Sequence, residues 1–193
     1  MDSNKIIESI KKAAQDLFRR YGYNKTSVNE IAHKAKIAKA TIYKYFDSKE
    51  LILHSILLDY LEKNVTELVS AFQLEEDEEV QFAQLILKTS RISYTACNEF
   101  IGWDFIRESS GAQEFLKKFS NELEELLFTA FSQIKNFHDD PDYARRLRFL
   151  IKASKSIVFS FAFTSVSVAD VKKNFISFRK EILPYLIKGA LVK

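Results

Sequence analysis

Only four glycines and two prolines punctuate 193 residues. Helix ends and turns draw on such residues, so a chain with so few of them must spend its length in long helices joined by few turns. The expected fold is all-α, and the length suffices to bury a substantial core. Periodicity places the first helix over about Lys5 to Tyr21, with Ile6, Ile10, Ala13, Ala14, Leu17 and Phe18 as its apolar stripe and Gly22 as its C-terminal cap. Later helices are expected at about Val80–Asn98, Glu99–Glu108, Ala112–Asn136, Pro141–Thr164 and Val168–Leu191, with Asp140 before Pro141 as a start signal and Pro184 as a kink. An acidic run from Glu75 to Glu79 suits the positive end of the helix after it.

The stretch from Ser27 to Leu51 carries more specific information. Ser27 with Glu30 has the form of a capping box, so a short helix should begin near Val28 with Ile31 and Ala32 facing inward. Ile42 and Phe46 then lie one helical turn apart and point into the core together, which leaves Lys39, Thr41, Tyr43, Lys44 and Tyr45 facing out. Hydroxyl and ammonium groups on such a face suit phosphate oxygens and base edges. Asp47 with Glu50 is a second capping signal, and a long helix should start near Ser48. Two short amphipathic segments around a tight turn form a helix-turn-helix, whose second helix enters the major groove of DNA.

Gly22-Tyr23, Thr26-Ser27-Val28, Ile31-Ala32, Ala35, Ile37 and the run Thr41-Ile42-Tyr43-Lys44-Tyr45-Phe46-Asp47-Ser48-Lys49-Glu50-Leu51 closely resemble the DNA-binding domain of the tetracycline-repressor (TetR) family. The resemblance covers roughly the first quarter of the chain. It departs from the family pattern at the turn, where Lys36 replaces the usual Gly, and at Ala38-Lys39-Ala40, where Ser-Lys-Gly is usual. A residue other than Gly in a left-handed turn costs about 1–2 kcal/mol, and Ala38 offers no capping oxygen. The resemblance implies DNA contacts from Thr26, Ser27, Lys36, Lys39, Thr41, Tyr43, Lys44, Tyr45 and Lys49. It also implies a DNA-binding domain over residues 1–50, an effector-binding and dimerisation domain over 51–193, and about nine helices in all.

Charge agrees with that division. Residues 1–50 hold eleven Lys or Arg against six Asp or Glu, whereas the remainder is slightly acidic. The basic end is the DNA end. No apolar run approaches the roughly 20 residues that span a bilayer, and no charged-then-apolar leader opens the sequence, so a cytoplasmic, nucleoid-associated prokaryotic protein without a membrane partner is expected. Cys97 stands alone, and His33, His54 and His138 lack metal-ligand spacing, so neither a disulfide nor a metal is expected. There is no Gly-rich phosphate loop or nucleophile elbow, so neither a cofactor nor an enzymatic activity is expected.

Fifteen of the seventeen Phe residues and the single Trp lie after Tyr60. They either fill a core or line a pocket for a hydrophobic or aromatic effector, with Tyr94, Phe100, Trp103, Phe128, Phe131 and Phe159 as candidate walls. Arg145, Arg148, Lys152 and Lys155 recur at intervals of three, four and three on one helical stripe. That stripe either pairs in solvent with Glu122, Glu124 or Glu125, or holds the acidic head of a ligand such as a fatty acid or acyl thioester. Ile157, Phe161, Phe175, Phe178, Ile182 and Leu186 give the last two helices a broad apolar surface that suits a homodimer, and the resemblance supplies its form, a four-helix interface. Twofold symmetry then implies a palindromic operator, with recognition helices about 34–36 Å apart if half-sites lie one turn apart. The expected function is a repressor released from its operator by a small effector. A nucleoid or cell-division factor of the same fold, working with a protein partner, is the alternative.

Overall fold

Asp2 opens the first helix by accepting the Asn4 N–H at 3.3 Å, and α1 runs over Ser3–Tyr21. Gly22 closes it at φ 85°, with its N–H returned to the Phe18 carbonyl at 2.8 Å. Positive φ is where glycine carries no steric cost. The computed structural model describes residues 2–72, 78–101, 112–133 and 141–191. After α1 come α2 (Val28–Ala35), α3 (Lys39–Tyr43), α4 (Lys49–Ser70) and α5 (Glu78–Ala96). A π turn over Cys97–Ile101 continues α5, and α6 (Ala112–Ser132), α7 (Pro141–Thr164) and α8 (Val168–Ser177) come next. A second π turn, Phe178–Ile182, joins α8 to α9 (Leu183–Leu191). There is no strand among the described residues, and the all-α expectation holds. Trp103, the start signal at Asp140, His138 and most of the acidic run after Glu75 lie outside the described residues.

Two boundaries differ from expectation for related reasons. Nothing at Asn98 or Glu99 closes the backbone, and Ala96, Cys97, Phe100 and Ile101 are all buried, so the helix carries on through a wider turn where a new helix was expected. Burial pushes the Cys97 thiol up to about 12, which keeps it protonated and unreactive. Pro184 was expected to kink the last helix, because its ring removes an N–H and crowds the preceding turn. The chain answers with the π turn just before it, in which the Leu183 N–H reaches the Phe178 carbonyl five residues back.

The helices divide between two compact units. The first comprises Met1–Leu61 with Thr95–Ser120, and the second Glu62–Tyr94 with Asn121–Lys193, so compactness does not divide the chain at residue 50. In the first unit Ile10, Ala14, Phe18, Ile31, Ile42 and Leu57 are almost wholly buried. Each large side chain among them contributes roughly 1.5–3 kcal/mol. Lys11 reaches back to Glu8 and across to Asp59 on α4. Arg19 bonds Glu99 at 3.0 Å and lies 4.9 Å from the Phe100 ring centre, so α1 also packs on the first π turn.

In the second unit α9 lies along α7, and α7 turns into α8 over a cap in which Ser167 accepts the Asp170 N–H at 3.2 Å. Phe82, Leu85, Phe131, Leu150 and Phe178 form its interior. The Phe161 ring meets Phe175 and Phe178 at centre distances of 5.2 and 6.5 Å. No described helix is long and apolar enough to cross a membrane.

Candidate nucleic-acid interface

Helix α2 begins on the expected box. The Ser27 hydroxyl accepts the Glu30 N–H at 3.2 Å, and Glu30 takes the Ser27 N–H at 2.7 Å and its O–H at 2.8 Å. Those bonds, the backbone one first, hold the Glu30 carboxyl below its usual range. Helix α2 ends on Lys36, at φ 55° and ψ 43°. The Lys36 N–H bonds the His33 carbonyl and the Ile37 N–H the Ala32 carbonyl, at 3.1 and 3.0 Å. This is a Schellman ending with lysine where glycine is usual, and Lys36 carries the left-handed backbone expected of it.

Helix α3 starts after two more residues, and Ala38 gives it no side-chain cap. Ile42 is 0% exposed and anchors the helix, with Phe46 beside it. The outward face then carries Lys36, Lys39, Tyr43 and Lys44, all exposed, with Thr41 and Tyr45 half-buried. Lys39 lies 5.8 Å from the Tyr43 ring centre, so the two share one side of the helix. Lys34 on α2 is paired with Asp16 at 3.2 Å.

Three of the expected DNA contacts have other employment. Thr26 is buried and donates its hydroxyl to the Gly22 carbonyl at 2.9 Å. It shapes the turn and offers no side chain to a phosphate. Ser27 commits its proton to Glu30. Lys49 places its ammonium 2.9 Å from both the Tyr23 and Thr26 carbonyls and 4.0 Å from the Tyr23 ring centre. Burial draws that ammonium below the usual lysine value, against the attraction of Glu50 and Glu30.

The start of α4 is also capped differently from expectation. Ser48, one residue later than Asp47, accepts the Leu51 N–H at 3.3 Å. Glu50, expected to complete a capping box, instead accepts the Tyr23 hydroxyl at 2.7 Å. Sequence spacing alone missed this pair, because the partners stand 27 residues apart and no local rule relates them.

Burial, and then the bond to Glu50, push the Tyr23 phenol upward. Burial pushes the Glu50 carboxyl up, but the Tyr23 hydroxyl, its own amide, Ser48 and the Lys49 charge outweigh it, so the carboxyl sits below its usual 4.5. A depressed carboxylate contributes stability that is complete above its unfolded value and is lost as pH falls through the folded one. Acid titration of the thermal midpoint should therefore show a decline below about pH 4.5. Glu50→Gln should flatten that decline; an unchanged profile would show that Glu50 carries no linkage.

The remaining expected sites lie elsewhere. Of the effector candidates, Phe100 belongs to the first unit and packs on Tyr60 at 5.4 Å. Tyr94, Phe128, Phe131 and Phe159 belong to the second. Phe131 is fully buried, Tyr94 packs edge-on against Phe175, and Phe159 packs against Phe163. Arg148 lies 3.7 Å from the Phe128 ring centre and grips Glu125 with both nitrogens, at 2.6 and 3.1 Å. Lys155 pairs with Glu124 at 3.0 Å and Arg145 with Asp142 at 3.2 Å, while Lys152 is exposed. Three members of the basic stripe are thus paired with carboxylates.

Among the expected dimer residues, Phe161, Phe175 and Phe178 are buried within the chain itself and are not available to a partner. Ile157, Ile182 and Leu186 are half-buried. The large apolar side chains left open on α7 to α9 among the described residues are Phe149, Phe163, Val168, Ile176 and Tyr185, each more than half exposed.

Residues 10–56 match the tetR family of bacterial regulatory proteins. The uncharacterised HTH-type transcriptional regulator YuxN of Bacillus subtilis (strain 168) is 46% identical over 65 residues, which are 34% of this chain and 21% of that protein. The matched stretch is therefore about a fifth of the relative's length. Over the whole fold, a TetR transcriptional regulator from Rhodococcus sp. RHA1 superposes with a TM-score of 0.65 at 13% identity, covering 100% of this chain and 99% of that one. The transcriptional regulator FadR of Bacillus subtilis, solved in complex with stearoyl-CoA, gives a TM-score of 0.54 at 18% identity over 94% of this chain and 98% of its own. At such identities the likeness speaks for the fold alone. The match over residues 10–56, together with the capped α2 and α3 geometry, identifies a tetR-family DNA-binding segment at this end of the chain, and the all-helical fold as a whole is one shared with TetR regulators.

Proposed function

We propose that this protein is a homodimeric repressor that binds a palindromic operator through α3 and leaves it when a hydrophobic or aromatic ligand occupies its second unit. It acts in the cytoplasm, on chromosomal DNA. The observation that carries the reading is the set of exposed groups Lys36, Lys39, Tyr43 and Lys44 on and beside a short helix held from behind by Ile42. Ammonium groups of that set supply phosphate contacts and a salt-dependent affinity, while the Tyr43 hydroxyl is placed to bond a phosphate or base edge.

Aromatic side chains of the second unit, Tyr94, Phe128, Phe131 and Phe159, are the reservoir from which an effector pocket is built. A fold shared with a regulator solved with stearoyl-CoA supports an elongated apolar ligand. The pairing of Arg148 with Glu125 and of Lys155 with Glu124 favours a solvated basic stripe over a headgroup clamp. For the dimer, Phe149, Phe163, Ile176 and Tyr185 are the contacting side chains, presented by α7 and by the continuous run of α8, π turn and α9 of each protomer.

Selection of duplexes from a random-sequence pool by the purified protein tests the first half of this reading. The expected product is a palindrome whose half-sites lie about one helical turn apart; a pool without enrichment would remove the DNA-binding function. Native mass spectrometry beside a denatured control tests the second half. The expected spectrum is a dimer with an added mass that denaturation releases, and a monomer would remove the symmetry argument.

A further inference from the structure

Lys49 differs in kind from the other basic residues near α3. Lys36, Lys39 and Lys44 are exposed, whereas the Lys49 ammonium is enclosed by two carbonyls and the face of one ring. Both carbonyls belong to the turn between α1 and α2. The Tyr23 carbonyl also accepts the Thr26 N–H at 3.2 Å, and its ring is held at the far end by Glu50. Thr26 immediately precedes Ser27, the cap from which α2 starts, and α2 packs on α3. A cation held this way joins the first residue of α4 to the turn that launches α2.

We propose that Lys49 is a positioning residue: its ammonium ties the Tyr23 and Thr26 carbonyls to the start of α4, and so sets how α2 and α3 are presented to DNA, without itself neutralising a phosphate. Two of its three N–H groups are spent on carbonyls, and a phosphate could recruit the charge fully only by breaking the turn. A bond from an ammonium to a neutral carbonyl is stronger than a neutral pair, and the Tyr23 ring adds a cation–π contact. The role rests on the DNA-binding function proposed for α3.

Counterion release separates positioning from contact. Each phosphate neutralised adds about 0.9 to the slope of log affinity against log salt. Affinity for the selected duplex is measured over a salt series for the parent, Lys49→Met and Lys39→Met. Lys49→Met should weaken binding by about tenfold or more at every salt concentration, since both protomers of the dimer lose the bracket, with the parent's slope retained. Lys39→Met should lower the slope. A slope reduced by about 0.9 per protomer in Lys49→Met would overturn the proposal.

A measurement on the parent covers the case in which Lys49→Met fails to fold. The ¹⁵N-detected signal of the Lys49 ammonium should be visible in the free protein, protected from water exchange, and unmoved by the duplex. A signal that emerges only on adding DNA would assign Lys49 to a phosphate. If no duplex is enriched from the pool, the DNA-binding reading falls and the positioning role falls with it. An enriched duplex with a reduced Lys49→Met slope removes the positioning role alone.

Discussion

Replacing Tyr43 by alanine weakens binding to the selected operator duplex by about 100-fold or more, while the thermal midpoint of the free protein is unchanged. The two halves of that expectation come from different observations. Tyr43 is 44% exposed at the end of α3, so little packing is lost with it, and surface substitutions of this kind change stability by about 0.5 kcal/mol or less. A hydrogen bond to a charged phosphate is worth about 1.5–3 kcal/mol, and a twofold dimer loses it twice. The sum is about 3–6 kcal/mol, and each 1.4 kcal/mol is tenfold. Fluorescence anisotropy with a labelled duplex reads the affinity, and parent-like binding would take α3 out of the interface.

The second large effect is on stability. Phe178→Ala should lower the free energy of unfolding by about 3–5 kcal/mol, the range for emptying a fully buried phenylalanine site. For a chain of this size that corresponds to a midpoint lower by roughly 6–20 °C. Phe178 is 0% exposed and packs against Phe161 inside one protomer. Ile176, two residues earlier, is 53% exposed, and Ile176→Asp should leave the protomer folded while shifting the dimer to monomer in light scattering. Both variants are compared at one protomer concentration, because association itself raises the midpoint. A Phe178→Ala protein that dissociates without loss of folding stability would return Phe178 to the interface.

Those two neighbours show where sequence reading succeeds and where it stops. In residues 1–51 the signals are local, and local rules decode them: Ser27 with Glu30 made its box, Gly22 closed α1, Ile31, Ala32 and Ile42 went inside, and Lys36 took the left-handed backbone. What escaped there was non-local. The Tyr23–Glu50 bond and the Lys49 bracket join residues 23, 26 and 27 positions apart, and no periodicity records such a pairing. Farther along, Val168 to Leu191 reads as one apolar helix, so Phe175, Phe178 and Ile182 look equally suited to a partner. The π turn over Phe178–Ile182 inserts a residue and rotates the rest of the helix about its axis. Faces extrapolated through it on a 3.6-residue period do not line up beyond Ile182. Phe175 and Phe178 precede the insertion and share one face, and periodicity does not say that Phe161 of the same protomer covers that face. The basic stripe is a milder case: spacing put Arg148 and Lys155 on one side of α7 and left their environment open, and Glu125 and Glu124 decide it.

Helix α3 spans five residues, and Ala38 leaves its first amides without a side-chain acceptor. An isolated helix shorter than about 12–15 residues is marginal in water even with good sequence, so this one owes its existence to the docking of Ile42 rather than to its own hydrogen bonds. Its order is borrowed. The surface that would read a base sequence and the hydrophobic contact that keeps it helical are one cooperative element, which opens as a whole or stays closed as a whole. Anything that loosens the seat of Ile42, whether a distant substitution or a shift of its neighbours, erases the reading surface entirely rather than blurring it. An on–off switch is thereby available to this head from the brevity of a single helix.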